Sequence, residues 1–369
     1  MDVRTLVPEW IRTLRPYPPG MPIEELERSL GIENSIKLAS NENPLGPSPR
    51  AVAAVRDALA NLHRYPDGSA FYLSRRLGER HGVSPEEIIV GNGSNELIEL
   101  VVRTFLRPRD EAVMADQAFV VYRLVTQAVG AVARIVPLRN YTHDLEALAE
   151  AVTPRTRIVF LANPNNPTGT IFHREAWHEF LRAMRGRQLL VIADDAYADF
   201  VTDPEYPDTV RNRGDGSVPV VTLRTFSKLY GLAGLRIGYA VASPMVIEAL
   251  GRVRQPFNVN ALALVGAVAA LDDTEHVRRT LELNRSGMAQ LTDGCAKLGV
   301  DVVPSAANFL MVRVGPGAAR IYEALLRLGV IVRPMDVYGF PEHLRVTVGL
   351  PEENQRFLES LAVVRSGRT

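Results

Sequence analysis

Short apolar runs recur through the middle of this chain at a spacing that leaves few folds open to it. They are Ile88 to Val90, Glu111 to Ala115, Val132 to Pro137, Ile158 to Leu161, Leu189 to Ala193, Val220 to Leu223 and Ile237 to Val241. Most are separated by stretches that suit helices of about 10 to 15 residues. Strands alternating with helices do not return as hairpins, so the pattern predicts a mostly parallel sheet covered by helices on both faces. Ligands of such a sheet bind beyond the carboxyl ends of the strands, where loops converge.

The flanks read differently. Residues 1–49 look like an arm, because Pro16, Pro18, Pro19 and Pro22 oppose regular structure and Ala39 to Pro49 (ASNENPLGPSP) is rich in turn formers. Helices are expected over 50–62 and 69–81, with the turn Arg64 to Ala70 (RYPDGSA) between them. After Gly251, Asn258 to Leu271 and Thr274 to Leu298 read as helices. Strands at Val300 to Val303, Asn308 to Val314, Gly329 to Val332 and His343 to Val348 then alternate with helices at Ala318 to Leu328 and Glu352 to Val364. The expected organisation is a large domain over 50–271, a smaller α/β domain over 272–369, and an arm over 1–49 that completes the smaller one.

Composition narrows the function classes. Of 369 residues, 46% are hydrophobic and 23% charged, with a formal net charge of zero, as in an ordinary soluble globular protein. Balanced charge argues against nucleic acid, which selects a basic face. No segment approaches the roughly 20 apolar residues of a membrane helix, and the start lacks the apolar core of a signal peptide. One cysteine, Cys295, cannot form an internal disulfide, which fits a reducing cytoplasm. His173 and His178 stand five apart, too far for a ligand pair on one helix face, and no metal site is expected.

Four loops after the predicted strands carry unusual chemistry. Gly91 to Glu96 (GNGSNE) opens a helix expected over Asn95 to Leu106, so backbone amides and the helix dipole face an anion there, with Ser94 as a candidate cap. A dinucleotide fingerprint is the rival, but Glu96 occupies the place of its third glycine. Phe119, in ADQAFVVY, is placed to stack on a flat ring, although alone it reads as a core residue. NPNNPTGT, Asn163 to Thr170, holds amide side chains at fixed angles, and Asn166 can donate to a phenolate-like oxygen. Asp194, at the end of an apolar strand, needs a cation or a proton, which a pyridinium N–H supplies in one bond. Tyr197, three residues on, reaches toward the same oxygen as Asn166.

The fifth stretch is Val220 to Gly238, VVTLRTFSKLYGLAGLRIG. A lone Ser-Lys pair is usually a surface loop, yet here Lys228 lies between an apolar strand and small apolar residues, where a buried lysine requires a partner. A desolvated lysine is a nucleophile toward carbonyls. Thr225, Ser227 and Arg236 around it make a cradle for a dianion. A lysine Schiff base beside a phosphate site indicates pyridoxal 5'-phosphate.

With these residues in hand, the chain resembles the fold-type I pyridoxal-phosphate aminotransferases, and among them is most similar to the histidinol-phosphate aminotransferases over nearly its whole length. The matching motifs are ASNENPLGPSP, RYPDG, GNGSNE, NPNNPTG, the Asp194-x-x-Tyr197 pair, TFSK followed by AGLRIGY, QPFNVN (Gln255 to Asn260) and IVRPMDVYGFPEHLRVTVG. The resemblance implies that Lys228 holds the cofactor covalently and then moves the proton between the substrate carbon and the cofactor. It gives Asp194 the pyridine nitrogen, Asn166 and Tyr197 the ring oxygen, Phe119 the ring face, and Gly93, Ser94, Asn95, Thr225, Ser227 and Arg236 the phosphate. Tyr65, from RYPDG, is expected to reach the phosphate of a neighbouring subunit, which makes a homodimer part of the site. Arg345 is expected to bind the substrate's anionic group, helped by Arg333, Tyr17 and Asn43. Two departures stand out: Phe119 where relatives commonly carry tyrosine, and Asp195 where glutamate is usual.

The implied reaction exchanges an amino group between glutamate and histidinol phosphate at one site. Another aminotransferase specificity, such as for aromatic amino acids, or a decarboxylase of a phosphorylated amino acid on the same fold, remains open on these residues. A cofactor-binding regulator would carry an added DNA-binding segment, for which residues 1–40 are too short and proline-rich.

Overall fold

All seven predicted strands pair into one sheet in the computed structural model, which describes residues 2–17 and 20–367. Pro18 and Pro19 lie outside the described residues. The spatial order is Ile88–Gly91, Gly238–Val241, Val220–Thr225, Leu190–Asp194, Thr156–Ala162, Glu111–Ala115 and Val132–Val136. Only Gly238–Val241 runs against the rest, bonding antiparallel to both neighbours. Four parallel pairings form the remainder.

The central strands are apolar on both faces because both are covered. One face packs Met114, Phe160 and Ile192 against Ile98, Val101 and Tyr122. On the other, the Arg174–Met184 helix sets Trp177, Phe180 and Met184 on Val159, Leu161 and Val191. Fully burying an aliphatic or aromatic side chain of this size stabilises by about 1.5–3 kcal/mol, so the sheet is a rigid platform for the loops at its end.

Helix boundaries follow their caps. Ser48 accepts from the Ala51 amide to start the Pro49–Ala58 helix, Asn260 from Ala263 to start Ala261–Leu271, and Asp273 from His276 to start Thr274–Lys297. At the helix Ser94–Phe105 the expected cap is corrected: Gly93 occupies the cap position and Ser94 is already the first helical residue. Gly93 has φ +83°, a backbone conformation that strains any residue with a side chain, which favours glycine there.

The arm is more ordered than its prolines suggest. Ile23–Leu30 is a helix that begins just after Pro22 and ends at Gly31 with φ +66°. A proline at a helix start sacrifices no intrahelical hydrogen bond, because the first turn leaves its amides unpaired. The helix buries Leu26 against Ala39 and Ile331. Beyond it, Ile36–Lys37 pairs in parallel with Val330–Ile331. The C-terminal part forms its own antiparallel sheet, ordered Arg333–Pro334, His343–Thr347, Phe309–Arg313 and Asp301–Val303. Arm and lysine loop touch where Gly231, at φ +67°, would place a Cβ 2.2 Å from the Gly46 carbonyl oxygen.

Candidate active site

A cavity of ≈ 420 Å³ opens beyond the carboxyl ends of the sheet strands, walled by their loops, the arm and the C-terminal sheet. Tyr17, Ser94, Asn95, Phe119, Asn166, Asp194, Tyr197, Thr225, Ser227, Lys228, Arg236, Arg333 and Arg345 all line it. Residues from eight separate stretches of sequence thus converge on one space, which distance along the chain alone would not require.

Lys228 follows the Val220–Thr225 strand and turns its amine inward, donating to the Ser40 carbonyl at 3.2 Å. Burial first, then the positive charges of Arg345 and Arg236, lower its pKa from 10.5 to about 8. The neutral, nucleophilic amine is therefore accessible near physiological pH. In the apo protein, the rate of combining with an added pyridine aldehyde should rise about tenfold per pH unit below 8 and level off above it; stopped-flow absorbance measures this, and a rate flat from pH 6 to 9 contradicts it. The same shift acts on stability. The folded pKa lies below the unfolded one, so the cost of burying the charged amine is fully present below pH 8. It is relieved as pH rises from about 8 to 10.5.

Asp194 ends the Leu190–Asp194 strand, 6% exposed. Its Oδ1 accepts from the Ala196 amide at 3.2 Å and its Oδ2 from the Tyr122 hydroxyl. Burial raises its pKa, and the Tyr122 and Ala196 hydrogen bonds oppose that rise. Tyr122 was not singled out by sequence, since it lies within the Val121–Ala128 helix like any core aromatic. It stacks on Phe160 with centroids 4.6 Å apart and meets the edge of Phe119. The next residue, Asp195, faces away into a buried network with Thr209 and Arg224 and has its pKa raised by burial to about 7.

Opposite, Tyr197 sits edge-on to Phe309 and accepts a hydrogen bond from the Asn41 amide at 2.9 Å. Arg345 is 7% exposed and stands over the Phe309 ring. It donates to Asn166 Oδ1 and, at 2.8 Å, to the Ala39 carbonyl. Its Nε is buried with no partner, and among the described residues no carboxylate pairs with it. A buried guanidinium held only by neutral oxygens is a seat for an anion. Arg333 lies across from Arg345 in strand register and over the Tyr17 ring at 5.5 Å.

The cavity is also lined by the start of the Ser94–Phe105 helix, with its unpaired first-turn amides, and by Thr225, Ser227 and Arg236, a donor set suited to an anion. Glu96 is spent on structure, accepting from the Asn92 amide at 2.5 Å and from Asn258 at 2.7 Å.

Two expectations are corrected or displaced. Asn43 does not face the cavity: its amide donates to the Leu229 carbonyl and to Thr280, tying the arm to neighbouring elements. The arm's amide in the cavity is Asn41, two residues earlier in the same motif. Tyr65 is 83% exposed and stacked on Phe257, outside this chain's own cavity. Tyr338, buried beside Arg345, also lines the site without having been anticipated. Among the described residues no group of three or more His, Cys, Asp or Glu is arranged to hold a metal ion, and no helix is long and apolar enough to cross a membrane.

Fold and site together define an α/β protein whose buried lysine amine faces a cavity equipped to receive anions. The chain belongs to the aminotransferase class I and II family, whose profile matches residues 33–361. It is 51% identical over 365 residues to histidinol-phosphate aminotransferase 2 of Pseudomonas fluorescens, covering 98% of each chain. It is 50% identical to the protein of the same name from Pseudomonas aeruginosa, again over 98% of each. In structure it is similar to histidinol-phosphate aminotransferase from Sinorhizobium meliloti in complex with pyridoxal-5'-phosphate, at a TM-score of 0.89, 26% identity and 98% coverage of both chains. The fold is also that of aspartate aminotransferase from Thermus thermophilus, at a TM-score of 0.84 over 97% of this chain and 99% of that one.

Proposed function

We propose that this protein is a pyridoxal 5'-phosphate enzyme that exchanges an amino group between L-histidinol phosphate and 2-oxoglutarate, a step of histidine biosynthesis. The names and near-complete coverage of its relatives support the reading. The observation that carries it is Arg345, buried, without an anionic partner and donating directly to Asn166 Oδ1. One such guanidinium serves a phosphate in one half-reaction and a carboxylate in the other.

The residues present fit the cofactor. The amine of Lys228 would meet its aldehyde, Asp194 its ring nitrogen, Asn166 and Tyr197 its ring oxygen, and Phe119 its face. Gly93, Ser94, Asn95, Thr225, Ser227 and Arg236 would take its phosphate. When bound, the group supplies an electron-withdrawing ring for the negative charge that develops at the substrate carbon. Lys228 Nζ, with a pKa near the working pH, takes that carbon's proton and returns it. Asp194, whose carboxylate form the Tyr122 hydrogen bond favours against the effect of burial, would pair with the ring-nitrogen proton. Arg345 and Arg333, with Tyr17 beside them, orient the substrate's anionic end.

On this reading the chain divides into an arm over 1–49, a cofactor-binding domain over 50–271 and a smaller domain over 272–369. It acts as a homodimer in the cytoplasm. Support for the dimer comes from Tyr65, Phe71, Tyr72 and Phe257, exposed aromatics on adjoining segments that suit a second copy. Tyr65 would then reach the partner's phosphate seat.

Steady-state rates with L-histidinol phosphate, aromatic amino acids and aspartate as donors test the specificity. The expected result is a kcat/KM for histidinol phosphate at least about 100-fold above the others; an aromatic amino acid that matches it contradicts the reading. Replacing Arg345 with glutamine should lower kcat/KM for both histidinol phosphate and glutamate by roughly 30-fold to 5,000-fold, as loss of a buried charged contact costs about 2–5 kcal/mol. The effect should fall mainly on KM.

A further inference from the structure

Asn41 has an unusual position for a non-glycine residue: 1% exposed, at φ +55°, and hydrogen-bonded on every polar atom. Its backbone amide donates to Thr347 Oγ1 at 2.9 Å, and its carbonyl accepts from Asn308 at 3.1 Å. Its side-chain Oδ1 accepts from the Thr347 hydroxyl at 3.1 Å, and its Nδ2 donates to the Tyr197 oxygen at 2.9 Å. Asparagine tolerates the left-handed region better than most residues.

These contacts determine where a proton goes. Thr347 Oγ1 already accepts from the Asn41 backbone, so its single hydrogen is left to donate, and Asn41 Oδ1 receives it. Flipping the amide would aim a second donor at Thr347 and strand that hydrogen. The nitrogen of the amide therefore faces Tyr197. An amide nitrogen only donates, so the Tyr197 oxygen accepts and its own hydrogen must point elsewhere. Among the described residues no group accepts that hydrogen, and the open direction is the cavity that Tyr197 lines.

We propose that Asn41 is a positioning residue, aiming the Tyr197 hydroxyl hydrogen at the ring oxygen of the cofactor. The inference rests on the reading of Tyr197 given above. It makes the arm and the His343–Thr347 strand, through Asn41 and Thr347, part of the proton geometry of the centre. The other charged or titratable groups around Tyr197 are Lys228, with Nζ 5.7 Å from its ring centre, Arg345, Asp194 and Tyr338.

The test titrates the visible absorbance of the holoenzyme with pH for Tyr197→Phe, Asn41→Asp and the double variant. Aspartate matches asparagine in size and tolerates its backbone angle, but offers Tyr197 an acceptor and draws the proton away. A ring oxygen without its donor carries more negative charge and favours the protonated form. Tyr197→Phe should therefore move the midpoint up by about one pH unit, and Asn41→Asp should move it in the same direction. In the Tyr197→Phe background, Asn41→Asp should add less than about 0.3 unit, because the two act through one hydroxyl. A shift that persists in the double variant belongs to the new charge and overturns the inference. So does an unmoved midpoint in Asn41→Asp when Tyr197→Phe has shifted; if Tyr197→Phe itself leaves the midpoint in place, the reading of Tyr197 falls and this inference with it. Should Asn41→Asp not fold, Thr347→Val frees the amide to flip. It should shift the midpoint the same way, with Thr347→Ser restoring it; no shift in Thr347→Val overturns the inference.

Discussion

Lys228→Ala should retain pyridoxal phosphate and lose turnover, with kcat down by about 10⁴-fold, the upper range for removing a positioned proton-transfer group. Retention is expected because the phosphate seat is built from other elements: the Ser94–Phe105 helix start, Thr225, Ser227 and Arg236. Loss of turnover is expected because no other amine stands in for it. The chain has three lysines in all; Lys37 pairs with Glu42, and Lys297 ends the Thr274–Lys297 helix. Equilibrium dialysis of the cofactor and steady-state rates measure the two halves separately. Cofactor uptake lost together with activity would point to collapse of the pocket instead.

The second large effect is expected from Asp194→Ala. Activity should fall by about 10²–10³-fold, the magnitude associated with losing one preorganised charge-stabilising contact. Stability should change little, because two terms oppose each other. Removing the carboxylate strands the Tyr122 hydroxyl, at about 1–3 kcal/mol, but it also removes the cost of keeping a charge buried where burial raises its pKa. A shift of only a few degrees in Tm is expected by differential scanning calorimetry. Asp194→Asn, which keeps the shape without the charge, should match the alanine variant in rate. A rate near that of the unmodified enzyme would remove the ring-nitrogen role from Asp194.

Much of the fold was legible because its strands are uniformly apolar, a consequence of helices on both faces. The Ile23–Leu30 helix escaped notice because four prolines nearby read as breakers, though Pro22 sits where a proline costs a helix nothing. The site was legible where chemistry is peculiar to the strand ends: a buried lysine, a buried aspartate, a glycine-rich turn. It was not legible where identical side chains compete. Asn41 and Asn43 are two residues apart in one motif, and the backbone between them, left-handed at Asn41, sends one amide to Tyr197 and the other to Leu229. Tyr122 lies within an apolar helix, and no sequence signal distinguishes a buried ring from a buried ring whose hydroxyl meets a carboxylate.

The central claim is that one lysine amine carries the carbonyl cofactor. Borohydride treatment of the holoenzyme fixes that linkage, and peptide mass spectrometry then reads which lysine gained the pyridoxyl mass. The account predicts the label on Lys228, in the peptide containing TFSK, at about one per chain. A label on Lys37 or Lys297, or none on any lysine of an active holoenzyme, would contradict it.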